Sequence, residues 1–245
     1  MQPTVGILML ETRFPRVYGD AGNASTWPFA VEIEVVRGAS PESVVRHGAS
    51  GLVDAFIEAG QRLAARGVDG VTTTCGFLAL HQRAIADALP VPFAGSSLLQ
   101  VPMVSRLLPS SQRVGILTVD STSLGRDHLL AVGADPSTPI MGTEGGTTFT
   151  RAMLGNLRTL DASAALDDLL AAGHRLLAVH RDVGAIVLEC ANMPPYAAAL
   201  SAALAVPVYD WHSMVSWFAL GLCPRAFYSV ASNPARDAAI PAALR

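Results

Sequence analysis

An α/β fold of two pseudo-symmetric, doubly wound lobes with parallel sheets is predicted for this chain by three observations. Strand-length apolar runs alternate with alanine-rich, helix-length runs, the order that builds a parallel sheet covered by helices on both faces. A segment of the first half recurs in the second: Arg66-Gly-Val-Asp-Gly-Val-Thr-Thr-Thr-Cys75-Gly-Phe against Arg181-Asp-Val-Gly-Ala-Ile-Val-Leu-Glu-Cys190-Ala-Asn. Each cysteine lies nine residues after its arginine (75 − 66 and 190 − 181), and the proline of a Val-Pro pair follows 17 residues later, at Pro92 and Pro207, so the offset is 115 throughout. Upstream, Val5-Gly-Ile-Leu8 recurs as Val114-Gly-Ile-Leu117, which places a short insertion in the second copy.

The elements follow in order. Strands are predicted at residues 5–10, 32–36, 70–74, 114–119, 185–188 and 206–209. Residues 50–66 carry Leu52, Phe56, Leu63 and Ala64 at helical spacing, which gives one apolar face, and residues 163–180 behave alike. Helices at 78–88 and 195–205 follow the two cysteines, with Pro194 and Pro195 where a first helical turn tolerates proline. The longest apolar stretch, 214–223, reads as a buried helix, and no run approaches the roughly 18 residues that span a bilayer.

Composition narrows the function. With 245 residues, 51% apolar and 15% charged, a sizeable core is available to one large domain or to two of about 100–125 residues. A net charge of −3 without any basic cluster argues against nucleic-acid and membrane-surface partners. Three cysteines with no CxxC and no Cys/His zinc spacing fit reduced thiols rather than disulfides or a metal. The sequence runs straight into a strand-like segment without a basic leader, so a cytoplasmic location is expected. It contains no lysine: all 17 basic residues are arginine. A pyridoxal-phosphate Schiff base and a P-loop both need lysine, so carbanion chemistry here is expected to run without a cofactor.

In open parallel sheets ligands bind beyond the carboxyl ends of the strands. Cys75 and Cys190 both fall there, each just before a helix. A helix N-terminus offers free N–H groups and partial positive charge, expected to lower a thiol's pKa and to seat an anion beside it. Two facing thiols suit removal of a proton from one side of a carbon and its return to the other. The backbone N–H groups of Gly76, Phe77, Ala191 and Asn192 are candidates for holding a carboxylate. After the first strand, Arg13 and Arg16 offer a bidentate clamp, and Asp20 and Asn23 sit in a glycine-bearing loop. Thr118, Ser121 and Thr122 follow the equivalent strand, where hydroxyls either bind substrate or cap a helix. Glu189, matched by Thr74 in the first half, needs a partner if buried: a substrate N–H or a threonine. His212 is repeat-equivalent to Ser97, Cys223 lies outside the repeat as a packing residue, and 142–148 reads as a connector.

These residues resemble the aspartate/glutamate racemase superfamily, which includes hydantoin racemases, arylmalonate decarboxylase and maleate cis–trans isomerases. The carrying motifs are Val5-Gly-Ile-Leu, Thr74-Cys75-Gly76, Val114-Gly-Ile-Leu-Thr118 with Thr122, and Leu188-Glu-Cys190-Ala-Asn192. The resemblance implies an active site in the cleft between two lobes, 1–97 plus 213–245 and 98–212, and a homodimer or higher homo-oligomer. It implies a cofactor-independent racemase or epimerase of an amino acid or derivative, with Cys75 and Cys190 as the acid/base pair and no metal. A small carboxylate or related anion is the expected partner, held by Arg13, Asn23, Gly76, Phe77, Thr118, Thr122, Ala191 and Asn192. Amino-acid racemases follow their cysteines with Asn-Thr and with Thr-His or Thr-Glu, whereas this chain has Gly76-Phe77 and Ala191-Asn192. That departure is closer to the hydantoin racemase and decarboxylase branches, although arylmalonate decarboxylase keeps only the second cysteine. An arylmalonate-type decarboxylase, a maleate-type isomerase and a non-catalytic small-acid binding protein are the alternatives.

Overall fold

Two four-stranded parallel sheets with flanking helices form the molecule, in a computed structural model that describes residues 2–224. The first sheet contains β1 (Thr4–Leu10), β2 (Ala30–Val36), β3 (Gly70–Thr73) and β4 (Phe93–Ala94), in the order β2-β1-β3-β4. The second contains β5 (Arg113–Thr118), β6 (Ile140–Gly142), β7 (Val183–Leu188) and β8 (Val208–Tyr209), in the order β6-β5-β7-β8. The two orders are the same once four is added to each strand number.

The repeat survives at the level of register. Val5 pairs with Gly70 and Leu8 with Thr73, while Val114 pairs with Ala185 and Leu117 with Leu188. Phe93 beside Val71 becomes Val208 beside Ile186, an offset of 115 on both strands (208 − 93 and 186 − 71). A repeated glycine explains part of this. A Cβ on Gly6 would sit 3.0 Å from Leu63 Cδ1, and one on Gly115 would sit 2.8 Å from Leu176 Cδ2. The bare glycines let the helices Val53–Ala65 and Ala162–Val179 close onto the two central strands at the same point.

One cluster of buried side chains runs from Leu8 and Phe56 through Cys75 and Cys190 to Ile116 and Leu169, so the cysteines lie in the core that joins the halves. The helix Trp211–Leu222 leaves the second sheet after β8 and packs back on the first: Trp211, Met214 and Val215 share a smaller cluster with Val5 and Ile7. Its start is fixed by a capping box, in which Asp210 accepts from Ser213 N–H at 2.8 Å and Ser213 Oγ accepts from Asp210 N–H at 2.9 Å. Of the lobe expected at 1–97 plus 213–245, residues 225–245 lie outside the described residues. Among the described residues no helix is long and apolar enough to cross a membrane.

Candidate active site

Each half ends its third strand in the same way. Thr74 N–H donates to Leu8 O at 3.0 Å, and Glu189 N–H donates to Leu117 O at 2.8 Å. The chain then leaves the sheet at the cysteine and turns: Leu78 N–H donates to Cys75 O at 3.2 Å and Met193 N–H to Cys190 O at 3.0 Å. Cys75 is the extended residue capping the short helix Gly76–His81. The turn aims a backbone N–H two residues on at each sulfur, from Phe77 to Cys75 and from Asn192 to Cys190. Both thiols line one narrow pocket between the halves, with a cavity volume of about 30 Å³. Its wall is largely apolar, with Phe14, Val45 and Phe77 from the first half and Val119 and Met153 from the second.

The helix-start N–H groups do not leave these thiols acidic, as the sequence suggested. Burial in the joined core pushes both upward, and the Glu189 carboxyl adds to the push on each. The Phe77 and Asn192 N–H groups pull the other way but lose to desolvation. The two sulfurs also differ. Arg16 favours the Cys75 thiolate, whereas Asp20 and Cys75 itself disfavour a thiolate at Cys190. Cys190 donates its S–H to Asn192 Oδ1 at 3.5 Å.

A polar chain crosses the pocket wall behind Cys190. Asn192 Nδ2 donates to Asp20 Oδ2, Arg16 Nη1 donates to Asp20 Oδ1 at 2.9 Å, and Arg16 Nη2 donates to Thr12 Oγ1 at 3.1 Å. Arg16 lies over the Phe14 ring, with its Nε buried and without a hydrogen-bond partner. On the other side Glu189 is fully buried, and its Oε2 accepts from Thr118 Oγ1 at 2.8 Å, so the threonine is the partner it needed. Burial raises the Glu189 pKa to about 8 against the lowering by Thr118.

The structure brings Cys75, Gly76, Phe77, Cys190 and Asn192 together around the pocket, with Arg16 and Glu189 beside them. Thr118 stands one shell behind, bonded to Glu189, and Ala191 is buried with its carbonyl accepting from Ala21 N–H at 3.1 Å. Arg13, Asn23 and Thr122 are absent from the wall. Arg13 is exposed and spends its N–H on Asn156 Oδ1. Asn23 caps the short helix Ala24–Thr26 and donates from Nδ2 to Arg16 O at 2.9 Å. Exposed Thr122 donates its hydroxyl to Asp120 at 2.6 Å, and Ser121 pairs with Glu144. His212 stacks on Trp27 with ring centroids 5.6 Å apart. In the connector, Asp168 accepts the N–H groups of Thr147, Thr148 and Phe149, so they are not free to hold a phosphate. The sequence carried no sign of the wall residues Pro41 and Val45, which arrive on the five-residue helix Pro41–Val45.

Solved structures with this two-sheet arrangement include allantoin racemase from Klebsiella pneumoniae, with a TM-score of 0.62 and 20% identity over 94% of this chain and 97% of that one. Arylmalonate decarboxylase follows with a TM-score of 0.61 and 16% identity, covering 91% and 93% of the two chains. A glutamate racemase isoform from Bacillus anthracis gives 0.55 and 13%, covering 89% and 82%. The chain shares the two-sheet α/β fold of these solved structures. No family model matches the sequence. Among curated proteins, the chain is 28% identical over 220 residues to dimethylsulfoniopropionate lyase 6 of Emiliania huxleyi (strain CCMP1516), covering 85% of its own length. It spans 57% of the length of that relative. The matched relatives and structural neighbours named here are enzymes by name.

Proposed function

We propose that this chain is a cofactor-independent racemase or epimerase that removes and returns the proton on the carbon α to a carboxylate, in a small acid of the amino-acid or amino-acid-derivative class. The observation that carries this reading is the pair of cysteines at repeat-equivalent strand ends, opening on one pocket and each receiving an N–H from two residues on. The Cα–H bond breaks toward the thiolate of Cys75, the thiol that Arg16 favours. The electron pair moves into the carboxylate as an enediolate, and the Cys190 S–H supplies a proton to the opposite face. For the other enantiomer the roles reverse. A sulfur held above its ordinary pKa is a scarcer thiolate but a stronger base, which suits a weakly acidic C–H. Arg16 lines the same pocket, and its part in this course is to favour the Cys75 thiolate.

A second reading is favoured by the names of the curated relatives. Elimination from a propionate carrying a good leaving group on its β-carbon begins with the same α-proton removal. The enediolate pair then forms the C=C bond and the β-substituent departs, so Cys190 need not return a proton. The difference between the two thiols is compatible with this one-base course.

Enantiopure α-substituted carboxylates and a β-sulfonio propionate, incubated in deuterium oxide and followed by proton NMR and polarimetry, separate the readings. Loss of the α-proton signal together with loss of optical rotation is expected. Vinyl signals without racemisation point to the lyase, and carbon dioxide release points to a decarboxylase. Inertness of every α-proton in the series would overturn both proposed readings.

A further inference from the structure

Glu189 takes no part in the proton transfer proposed above, yet when ionised it disfavours a thiolate at both cysteines. It reaches the pocket from the end of β7, fully buried, with Oε2 occupied by the Thr118 hydroxyl. Oε1 is buried with no hydrogen-bond partner. It lies against Gly76, where any Cβ would overlap it, so a glycine after Cys75 is what lets this carboxyl approach. Since Thr118 donates to Oε2, a proton carried by the carboxyl sits on Oε1, where no protein atom accepts it.

We propose that Glu189 works as a neutral carboxylic acid whose Oε1–H donates to one oxygen of the substrate carboxylate, seating it between Cys75 and Cys190. This rests on the carboxylate reading of the pocket. An ionised Glu189 would set a third negative charge beside the thiolate and the substrate, while Arg16, the nearby cation, is already bonded to Asp20. A neutral donor has no such cost and strengthens as negative charge builds on the enediolate. Burial, which lifts this carboxyl to about 8, supports the neutral form near neutrality. The groups that face it are the Cys75 and Cys190 thiols and the Thr118 hydroxyl, with the Arg16–Asp20 pair beyond. Ser97 and Trp211 touch only its main-chain carbonyl.

The test uses propionate as the probe and protection of Cys75 and Cys190 from iodoacetamide, read peptide by peptide in a mass spectrometer. The propionate concentration giving half protection is measured from pH 7 to pH 9.5. In the native protein it should be flat below about pH 8 and rise up to tenfold per pH unit above it, as Glu189 ionises. Glu189→Gln keeps an N–H donor and should stay flat above pH 8, whereas Glu189→Leu should need at least tenfold more propionate at pH 7. A flat native profile through pH 9.5, or native-like protection in Glu189→Leu, would overturn the proposal while leaving the carboxylate pocket standing. Free alkylation of both cysteines at every propionate concentration would remove the carboxylate reading, and this inference with it. The native pH series needs no variant, so a misfolded substitution does not spare the proposal.

Discussion

Replacing Cys75 or Cys190 by serine swaps a polarisable thiol for a hydroxyl that is a poor acid and a poor base at neutral pH. Each change should lower racemisation by at least about 100-fold, the lower range for a positioned proton-transfer group, as measured by polarimetry on an enantiopure substrate. Full racemisation by Cys75→Ser would leave the first cysteine a packing residue. The two thiols are further told apart by Arg16. Arg16→Met removes the cation that favours ionised Cys75, so iodoacetamide should modify Cys75 more slowly and change little at Cys190. Equal slowing at both sulfurs would contradict that pairing. The cysteines were legible in the sequence because a shared frame is a one-dimensional signal. Arg16 and Arg13 were not separable, because both sit in one loop and only packing turns the first inward over Phe14 and leaves the second in solvent.

Among the elements, strands β1, β2, β3, β5, β7 and β8 were readable from apolar runs and from the repeated Val-Gly-Ile-Leu and Val-Pro segments. β4 and β6 were not: Phe93–Ala94 and Ile140–Gly142 offer no longer apolar run, unlike the Val-Pro-Val-Tyr segment that ends in the equally short β8, and both are defined by pairing with β3 and β5. The loop ahead of β6's following helix, Phe149–Leu154, shows a similar dependence on tertiary partners. Its N–H groups are held by Asp168, which projects from the long helix Ala162–Val179 about 20 residues later in sequence. Asp168→Ala leaves three donors without that acceptor and should cost about 1–3 kcal/mol of stability, measured by urea denaturation. A loss below about 0.5 kcal/mol would mean that water replaces the carboxylate without difficulty. Gly6 and Gly115, the glycines of the repeated Val-Gly-Ile-Leu, mark the points where a helix rests on each central strand.

At the scale of the whole molecule, the halves join through a core that contains an ionisable carboxyl, and this ties folding to pH. Glu189 has an ordinary value of 4.5 and is raised to about 8 in the fold. The folded state therefore holds a proton that the unfolded chain has released between these values, so stability falls as pH rises from about 4.5 to about 8 and then levels. Glu189→Gln should flatten that slope, with a difference from the native protein of at most about 5 kcal/mol at pH 9, read from chemical denaturation at a series of pH values. Parallel curves for the two proteins would show that the carboxyl is not buried in solution. The pseudo-twofold relation of the lobes has a kinetic meaning as well. The backbone repeats on the two sides of the pocket with the same strand order and register, but the charges do not: Arg16 stands by Cys75, while Asp20 and Asn192 stand by Cys190. For two mirror-image substrates the equilibrium constant is one, so a racemase working here must have equal kcat/KM in both directions whatever its side chains. The electrostatic imbalance can then surface only as a matched change in kcat and KM, with one hand of the substrate turned over faster and held more weakly than the other.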